Sequence, residues 1–395
     1  MRLLILSNVI HYRHQGRLYA YGAYSREIDI WADLFPEVLI AAPCRDREPT
    51  GLAVPFTRPN VAIVPQMEAG GDTVRAKIGL LLALPIMVFQ LCRAMLRADA
   101  IHVRCPGSFG LIGILLAPLF SRYVVAKYAG QWNGYPGEPW TVRLQRRLLR
   151  SRWWSGPVTV YGRWPSQESH VVSFFTSVLT EEQLARARRA AGRKRFHPPL
   201  RTLFIGRLSA AKNVDVLLRA VARGRAEGLD LLCTVVGEGT QRDRLEQLSR
   251  DLGIAAHVSF PGGVGFDHVL QFYEESDVLV LASETEGWPK AIAEAMAFGL
   301  IPVGSDRGLV PEMVGEGRGF VVPPRDLDAL VNVLHRIAGD PGALLEMSAR
   351  AAAWGQRYSL ESLREALRDL LARSWNVPIH PLRRPAGMRG EQAQP

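Results

Sequence analysis

Short apolar runs alternate with helix-period segments along almost the whole chain, and this alternation constrains the fold more than any other feature. In the first half the runs are 3–6, 38–41, 100–103, 124–128 and 158–161, with helical patterns at 24–34, 74–96, 111–120 and 141–153 between them. In the second half the runs are 202–205, 231–236, 258–260, 278–281, 301–304 and 319–321, again separated by helical patterns. Strand, helix and strand in repeated order give a parallel sheet covered on both faces. The alternation breaks once, at 183–199, where QLARARRAAGRKRFHPP ends in Pro198-Pro199. That stretch reads as an interdomain linker, helical in its first part.

The 395 residues therefore divide into two doubly wound α/β domains, 1–182 and 200–358. An amphipathic helix follows at 359–375, then a Pro- and Gly-bearing tail, 376–395, that is expected to be disordered. Two such domains face each other across a cleft, and ligands of parallel sheets bind outside the carboxyl ends of the strands. Functional residues are thus expected on the loops that follow strands.

The net charge of +10 belongs to the first half. Residues 1–190 carry 23 Lys+Arg against 13 Asp+Glu, whereas 191–395 carry 25 of each. The two halves are expected to meet different partners. A cationic surplus suits a polyanion, an anionic membrane or a phosphate-rich ligand. Cys44, Cys92, Cys105 and Cys233 match no zinc or CxxC spacing and read as reduced residues of a cytoplasmic protein. The start, MRLLILSNVIHYRH, fits a buried first strand better than a signal peptide. The apolar stretches 78–92 and 111–120 fall short of the roughly 20 residues that span a bilayer, and read as buried helices.

Three loops of the second half carry the chemistry. In FIGRLSAAKN (204–213), Arg207 and Lys212 stand between a strand and a helix start. Two cations beside a helix N-terminus make a diphosphate site, or else a solvated basic loop. In VVGEGT (235–240), Gly237 and Gly239 allow a turn from strand to helix. In SETEGWPKAIAEAMAFG (283–299), Pro289 suits the first helical position and Gly299 the end. Glu294 then falls in the second turn. Helical side chains lean toward the N-terminus, so Glu294 points to the same mouth as Glu286. Two carboxylates on one crevice accept sugar and ribose hydroxyls, and a Glu inside so apolar a helix needs a partner.

Glu286 and Glu294 at this spacing, followed by EAMAFG and IPVGSD, resemble the E-x7-E signature of the retaining glycosyltransferases of family 4. GRLSAAKN, VGEG, VSFPGGV and GFVVPPRD match that family's flanking segments in order, over about residues 200–330. The resemblance implies the GT-B fold, two Rossmann-like domains facing a central cleft. The first domain would take a glycan or lipid-linked acceptor and the second a UDP- or GDP-sugar, with the last helix packed back on the first domain. Arg207 and Lys212 would bind the donor diphosphate and stabilise it as it leaves. Glu286 would contact the donor sugar and Glu294 the ribose hydroxyls. Gly287, Trp288, Pro289 and Lys290 would line the sugar and phosphates. Gly237, Gly262 beside the nucleobase, and Glu312 would complete the donor site. The resemblance implies no metal and no other cofactor, and Asp326-Leu-Asp328 reads as a helix cap.

The first half is less distinctive. Its first loop, 7–16, lacks the Gly-Gly pair of many family members. His11, His14 and Gly16 are candidates for the acceptor side, as are Gln131 and Trp132 in KYAGQW. The alternatives are exposed loop histidines and a core tryptophan. His102 and Arg104, at the end of another strand, pose the same choice. YSREI and KYAGQW resemble bacterial members that build cell-surface polysaccharides. Residues 141–154 interleave five Arg with Leu and end in Trp153-Trp154, which suits an anionic membrane surface or a solvated Arg face. The expected protein is a cytoplasmic transferase, peripheral on the inner face of the plasma membrane. A nucleotide-sugar 2-epimerase of the same fold and a basic nucleic-acid-binding protein are the alternatives. The E-x7-E spacing argues against the first, and the lack of a reader motif argues against a nucleic-acid partner.

Overall fold

The computed structural model describes residues 1–382 apart from 50, 52, 69–73, 136 and 165–167, and apart from the side chains of 74–78, 80 and 81. The first part of the chain runs β1 (Arg2–Leu6), β2 (His11–His14), β3 (Arg17–Tyr21), α1 (Gly22–Leu34), β4 (Glu37–Asp46), β5 (Ala53–Pro55), β6 (Val61–Gln66) and α2 (Val74–Met95). It continues β7 (Ala100–Cys105), α3 (Ser108–Phe120), β8 (Tyr123–Tyr128), α4 (Trp140–Arg150), β9 (Val158–Tyr161), β10 (Val171–Phe174) and α5 (Glu181–Arg193). The second part runs β11 (Leu200–Ile205), α6 (Val214–Ala226), β12 (Leu231–Val236), α7 (Arg242–Asp251), β13 (Val258–Gly262), α8 (Phe266–Glu275), β14 (Val278–Leu281) and α9 (Lys290–Ala297). It ends β15 (Ile301–Ser305), α10 (Val310–Val314), β16 (Phe320–Val322), α11 (Leu327–Gly339), α12 (Pro341–Gly355) and α13 (Leu360–Trp375).

Two separate sheets result. The first has the order β10-β9-β8-β7-β1-β4-β2-β3-β5, with β6 also on β4. The second, β13-β12-β11-β14-β15-β16, is parallel throughout. Every apolar run read from the sequence lies within one of these strands, except that 319–321 starts one residue before β16. In the first sheet the pleat sends alternate side chains to opposite helix layers. Leu4, Leu6, Ile101, Val103 and Val124 pack with α2, α3 and α4. Leu3, Ile5, Val38, Ile40 and Val125 pack with α1 and α13.

Residues 7–16, read as a loop, instead enter a hairpin of β2 and β3. Gln15 (φ 47°) and Gly16 (φ 73°) form its two-residue turn, in the left-handed region that matches the strand twist. The hairpin escapes an apolar-run search because HYRH and RLYAY are short strands with exposed polar side chains. The linker is mostly the helix α5. Thr180 opens it with a capping box, and Leu184 and Ala187 anchor it in the second domain's core.

Helix α13 carries the chain back from the second domain to the first. Its Leu360, Leu363, Leu367, Leu371 and Trp375 form one stripe against Ile28, Trp31 and Phe35. The Trp375 Nε1 donates to the Val124 carbonyl at 3.2 Å. Of the tail expected to be disordered, residues up to 382 follow the first domain: Ile379 is buried, and the Leu382 N–H donates to the Asp33 carbonyl at 2.8 Å. Residues 383–395 lie outside the described residues.

The stretches 78–92 and 111–120 form helices that bury one side only. Met87 and Leu91 of α2, and Ile112, Ile114 and Ala117 of α3, are in the core. Leu82, Phe89 and Leu119 are exposed by 75%, 62% and 66%. Among the described residues no helix is long and apolar enough to cross a membrane.

Leu371 is fully buried where α13 meets the first domain. Leu371→Ala is expected to lower unfolding free energy by about 2–5 kcal/mol, read from urea denaturation. Arg373→Ala, on the exposed last turn of the same helix, is expected to change it by under about 0.5 kcal/mol.

Candidate active site

In the second sheet β11 lies between β12 and β14, so consecutive connections diverge from its carboxyl end. The loop that opens there holds Arg207 and Lys212. Two neighbouring loops fix its shape. The Gly206 N–H donates to the Val236 carbonyl at 3.0 Å, and the Leu208 N–H donates to the Glu238 carbonyl at 2.9 Å. This contact explains Gly237: a Cβ there would fall 1.9 Å from the Gly206 carbonyl oxygen. On the other side Asn213, in the left-handed region at φ 50°, donates from its Nδ2 to the Ala282 carbonyl at 2.8 Å and to Glu284 Oε1 at 3.1 Å. Arg207 is exposed at the rim. No side chain caps α6, which begins directly after this loop.

The loop after β14 brings Glu286 against Lys212, Nζ to Oε1 at 2.6 Å. Gly308, in the loop after β15, supports this arrangement from behind: a Cβ would lie 1.8 Å from the Glu286 carbonyl oxygen. Sequence reasoning passed over Gly308, although a glycine just before a short helix was a visible signal. Pro289 sets the entry to α9, which also lacks a side-chain cap. Glu294 occupies the second turn, as its spacing requires, and is buried. Its partner is Tyr273, whose hydroxyl donates to Glu294 Oε2 at 2.8 Å. Burial raises the Glu294 carboxyl above its usual range, while the Tyr273 bond and the charges of Lys290 and Arg26 pull the other way.

First-domain side chains reach the same mouth. Partial burial raises the Tyr21 phenol, although the residue is 56% exposed; the Glu294 carboxylate adds to this and the Arg207 guanidinium opposes it. Arg26 lies over the Phe266 ring at 3.9 Å and also feels Glu294. Glu27, on α1, receives Arg104 Nη1 at 2.6 Å and Lys127 Nζ at 2.8 Å. Burial pushes the Glu27 carboxyl up, but these two cations outweigh it and hold the carboxyl well below its usual range. Lys290, lowered by burial, interacts with Glu27 from the second domain. Tyr21 and Tyr273 were not singled out from sequence, and Arg26 and Glu27 only as part of YSREI, because nothing local marks a residue whose partner lies far away in the chain.

The remaining candidates divide. Gly287 touches the first domain, where a Cβ would meet the Ala129 carbonyl oxygen at 2.6 Å. Trp288 joins an aromatic cluster with Phe175, Trp354 and Tyr358 rather than an open sugar site. Gly262, at φ 83°, leaves room for Arg242 and Glu238, each 2.8 Å from a built Cβ. Glu312 accepts from the Arg163 N–H at 3.4 Å across the domain boundary. His11 is fully buried, stacked on Phe56, and burial lowers its pKa to about 4, so it is a neutral core residue that does not line the cleft. His14 and Gly16 sit at the hairpin tip. Trp132 is buried edge-on against Tyr128, leaving Gln131 as the more accessible of that pair. His102 is buried against Trp31, with ring centroids 4.3 Å apart.

In the Arg-rich helix α4, Arg146 is buried on Glu138, with Nη2 to Oε2 at 2.6 Å, and Leu149 and Trp154 enter the core. Arg150 pairs with Glu168 at 2.8 Å. Asp326 caps α11 through the Ala329 N–H at 2.8 Å, and Asp328 pairs with Arg223. Among the described residues no group of three His, Cys, Asp or Glu side chains could hold a metal ion.

Residues 188–354 match the family model described as glycosyl transferases group 1. A D-inositol 3-phosphate glycosyltransferase of Streptomyces avermitilis is 33% identical over 195 residues, 46% of this chain and 42% of that protein. A GDP-mannose-dependent alpha-(1-6)-phosphatidylinositol monomannoside mannosyltransferase of Mycolicibacterium smegmatis is 29% identical over 158 residues, 38% of this chain and 41% of that protein. The match thus spans less than half the length of these curated relatives. The solved structure of sucrose-phosphate synthase from Thermosynechococcus elongatus covers 95% of this chain and 99% of its own, with TM-score 0.72 at 20% identity. HepE of Anabaena, in complex with UDP-glucose, covers 94% and 100%, with TM-score 0.68 at 18% identity. Two sheet domains of this kind give the chain the GT-B fold, and the segment 188–354, which forms nearly all of the second domain, is similar to the group 1 glycosyl transferases.

Proposed function

We propose that the protein transfers a sugar from a nucleotide-sugar donor to a glycan or lipid-linked acceptor with retention of anomeric configuration. The reading extends to a role in cell-surface polysaccharide synthesis and a peripheral position at an anionic membrane. The observation that carries it is the Lys212–Glu286 pair at 2.6 Å, formed between two strand-end loops, with the buried Glu294 on the helix that follows.

In this reading the unliganded pair is a stand-in for substrate. Lys212 uses Glu286 as the anion that a diphosphate would replace, and Glu286 uses Lys212 where a sugar hydroxyl would donate. As the anomeric C–O bond breaks, charge builds on the departing diphosphate. Fixed cations at Lys212 and Arg207, with the uncapped starts of α6 and α9, favour that charge over the ground state. Glu294, already partnered by Tyr273, keeps a carboxylate oxygen for ribose hydroxyls. The reading assigns the leaving-group charge to these side chains and invokes no resident metal or cofactor. Two similar but partial relatives, one acting on an inositol phosphate and one named GDP-mannose-dependent, are compatible with either a UDP- or a GDP-sugar.

A thermal-shift panel of UDP- and GDP-sugars tests the donor class: a base-selective rise in melting temperature supports the reading, and no shift with any donor overturns it. Lys212→Ala and Glu286→Ala are each expected to lower turnover at least tenfold, about 1.4 kcal/mol of barrier. Near-normal rates in either variant would remove the role assigned to that residue.

Glu294 also sets a pH dependence. Ribose hydroxyls donate to the ionised carboxylate, so binding draws the raised pKa down. UDP affinity is therefore expected to be full above that raised pKa and to fall as pH drops through it, and Glu294→Gln should flatten the profile in calorimetric titrations. Stability of the unliganded protein runs the opposite way. Between the unfolded and the raised folded pKa the native state holds the extra proton, so this group's contribution to stability declines as pH rises through that window.

A further inference from the structure

Among the described residues nothing packs over the apolar outer face of α2 and α3. Helices that are apolar all round belong in a core or a bilayer, yet here only their inner sides are covered. Leu82, Ile86 and Phe89 follow one another at helical spacing along α2, and Leu115 and Leu119 do so along α3; all are exposed. Trp153, 43% exposed, extends the face toward α4, with its Nε1 donating to the Ile114 carbonyl of α3 at 2.9 Å. A contiguous apolar surface rimmed by polar groups marks an interaction site.

Charge identifies the occupant. Residues 74–163, which contain these three helices, hold 13 Lys+Arg and two Asp+Glu. Both acids are engaged: Asp99 accepts the Arg2 N–H at 2.7 Å, and Glu138 binds Arg146. Arg93, Arg147 and Arg152 are exposed beside the apolar face, and among the described residues none of them forms an ion pair. A twofold dimer through this face would set the patch against itself and bring cation against cation. An anionic bilayer satisfies both features at once, taking the apolar side chains into the acyl boundary and the arginines at its headgroups.

We propose that the α2–α3 face, flanked by the outer arginines of α4, is a docking surface for an anionic lipid bilayer. The apolar contact comes from α2 and α3, whereas α4 spends its own apolar side on the protein core and supplies charge. The inference refines the peripheral position within the transferase reading. Donor-induced thermal shift reports on that reading separately, because the docking face lies outside the donor loops.

The test is flotation of the purified full chain with vesicles of phosphatidylcholine alone and of phosphatidylcholine with about 30% phosphatidylglycerol. Binding is expected to be at least tenfold stronger to the anionic vesicles. Arg147→Gln with Arg152→Gln should lower it about 20-fold, near fivefold per charge. Phe89→Ser with Leu119→Ser should lower it at least tenfold while the donor-induced thermal shift persists. In the unaltered protein, brominated lipid should quench part of the tryptophan fluorescence, a readout that does not depend on a variant folding. Equal binding to both vesicles, no binding to either, or a dimer in sedimentation that Phe89→Ser disperses would overturn the proposal.

Discussion

Parallel strands buried on both faces are the constraint on which the rest of the structure depends. Such a sheet needs two helix layers and leaves only the strand ends free for chemistry. The second domain meets that need almost entirely with its own helices. The first domain does not: one of its faces is covered by α1 together with α13, which arrives from the far end of the chain. The two domains are consequently joined by two crossings. Where they run side by side, the Leu360 N–H donates to the Leu179 carbonyl at 2.8 Å and Ser177 Oγ donates to the Tyr358 carbonyl at 2.8 Å. Any opening of the cleft has to pivot on this paired connection. The Trp288 cluster, with Phe175 and Tyr358, packs beside it and links the donor loop to the pivot.

Electrostatics in the cleft follow a single logic. A buried charge without a partner costs several kcal/mol, so cations intended for a ligand need a counter-ion while the ligand is absent. Glu286 serves Lys212 in this way. Glu27 serves Arg104 and Lys127, and its carboxyl stays ionised because two adjacent cations outweigh the penalty of burial. Lys290, on α9 of the other domain, adds to that field. The donor half can therefore be neutral in sum and still present strong local cations.

What the sequence revealed follows from the range of the forces involved. Strand and helix order was legible because burial imposes a local period, and the spacing of Glu286 and Glu294 was legible because one loop and one helix carry both. Asp326 could be read as a cap for the same reason. The hairpin at His11–Tyr21 was not, since short strands with outward polar side chains carry no apolar run. His11 and Trp132 looked like ligand residues because type and position after a strand do not reveal whether a side chain turns inward; packing on Phe56 and Tyr128 decides that. Tyr273 under Glu294, and Gly308 behind Glu286, depend on contacts between segments distant in the chain. The apolar outer side of α2 was hidden for a different reason. A helix that is apolar all round looks like a buried helix until its neighbours are known.

The distribution of charge then has a geometric consequence. Helices in these domains run antiparallel to the strands they connect, so the starts of α3 and α4 lie at the cleft end of the first sheet and their outer sides face away from it. A surface bound along α2 and α3 would lie on the outer side of that helix layer. Nucleotide sugar could still enter from water between the domains. An acceptor held in the bilayer would approach over the rim where α4 begins, at Trp140, which is 71% exposed. On the bilayer proposal the surplus of cations orients the first domain, while the cations at the strand ends stand in pairs that are already balanced.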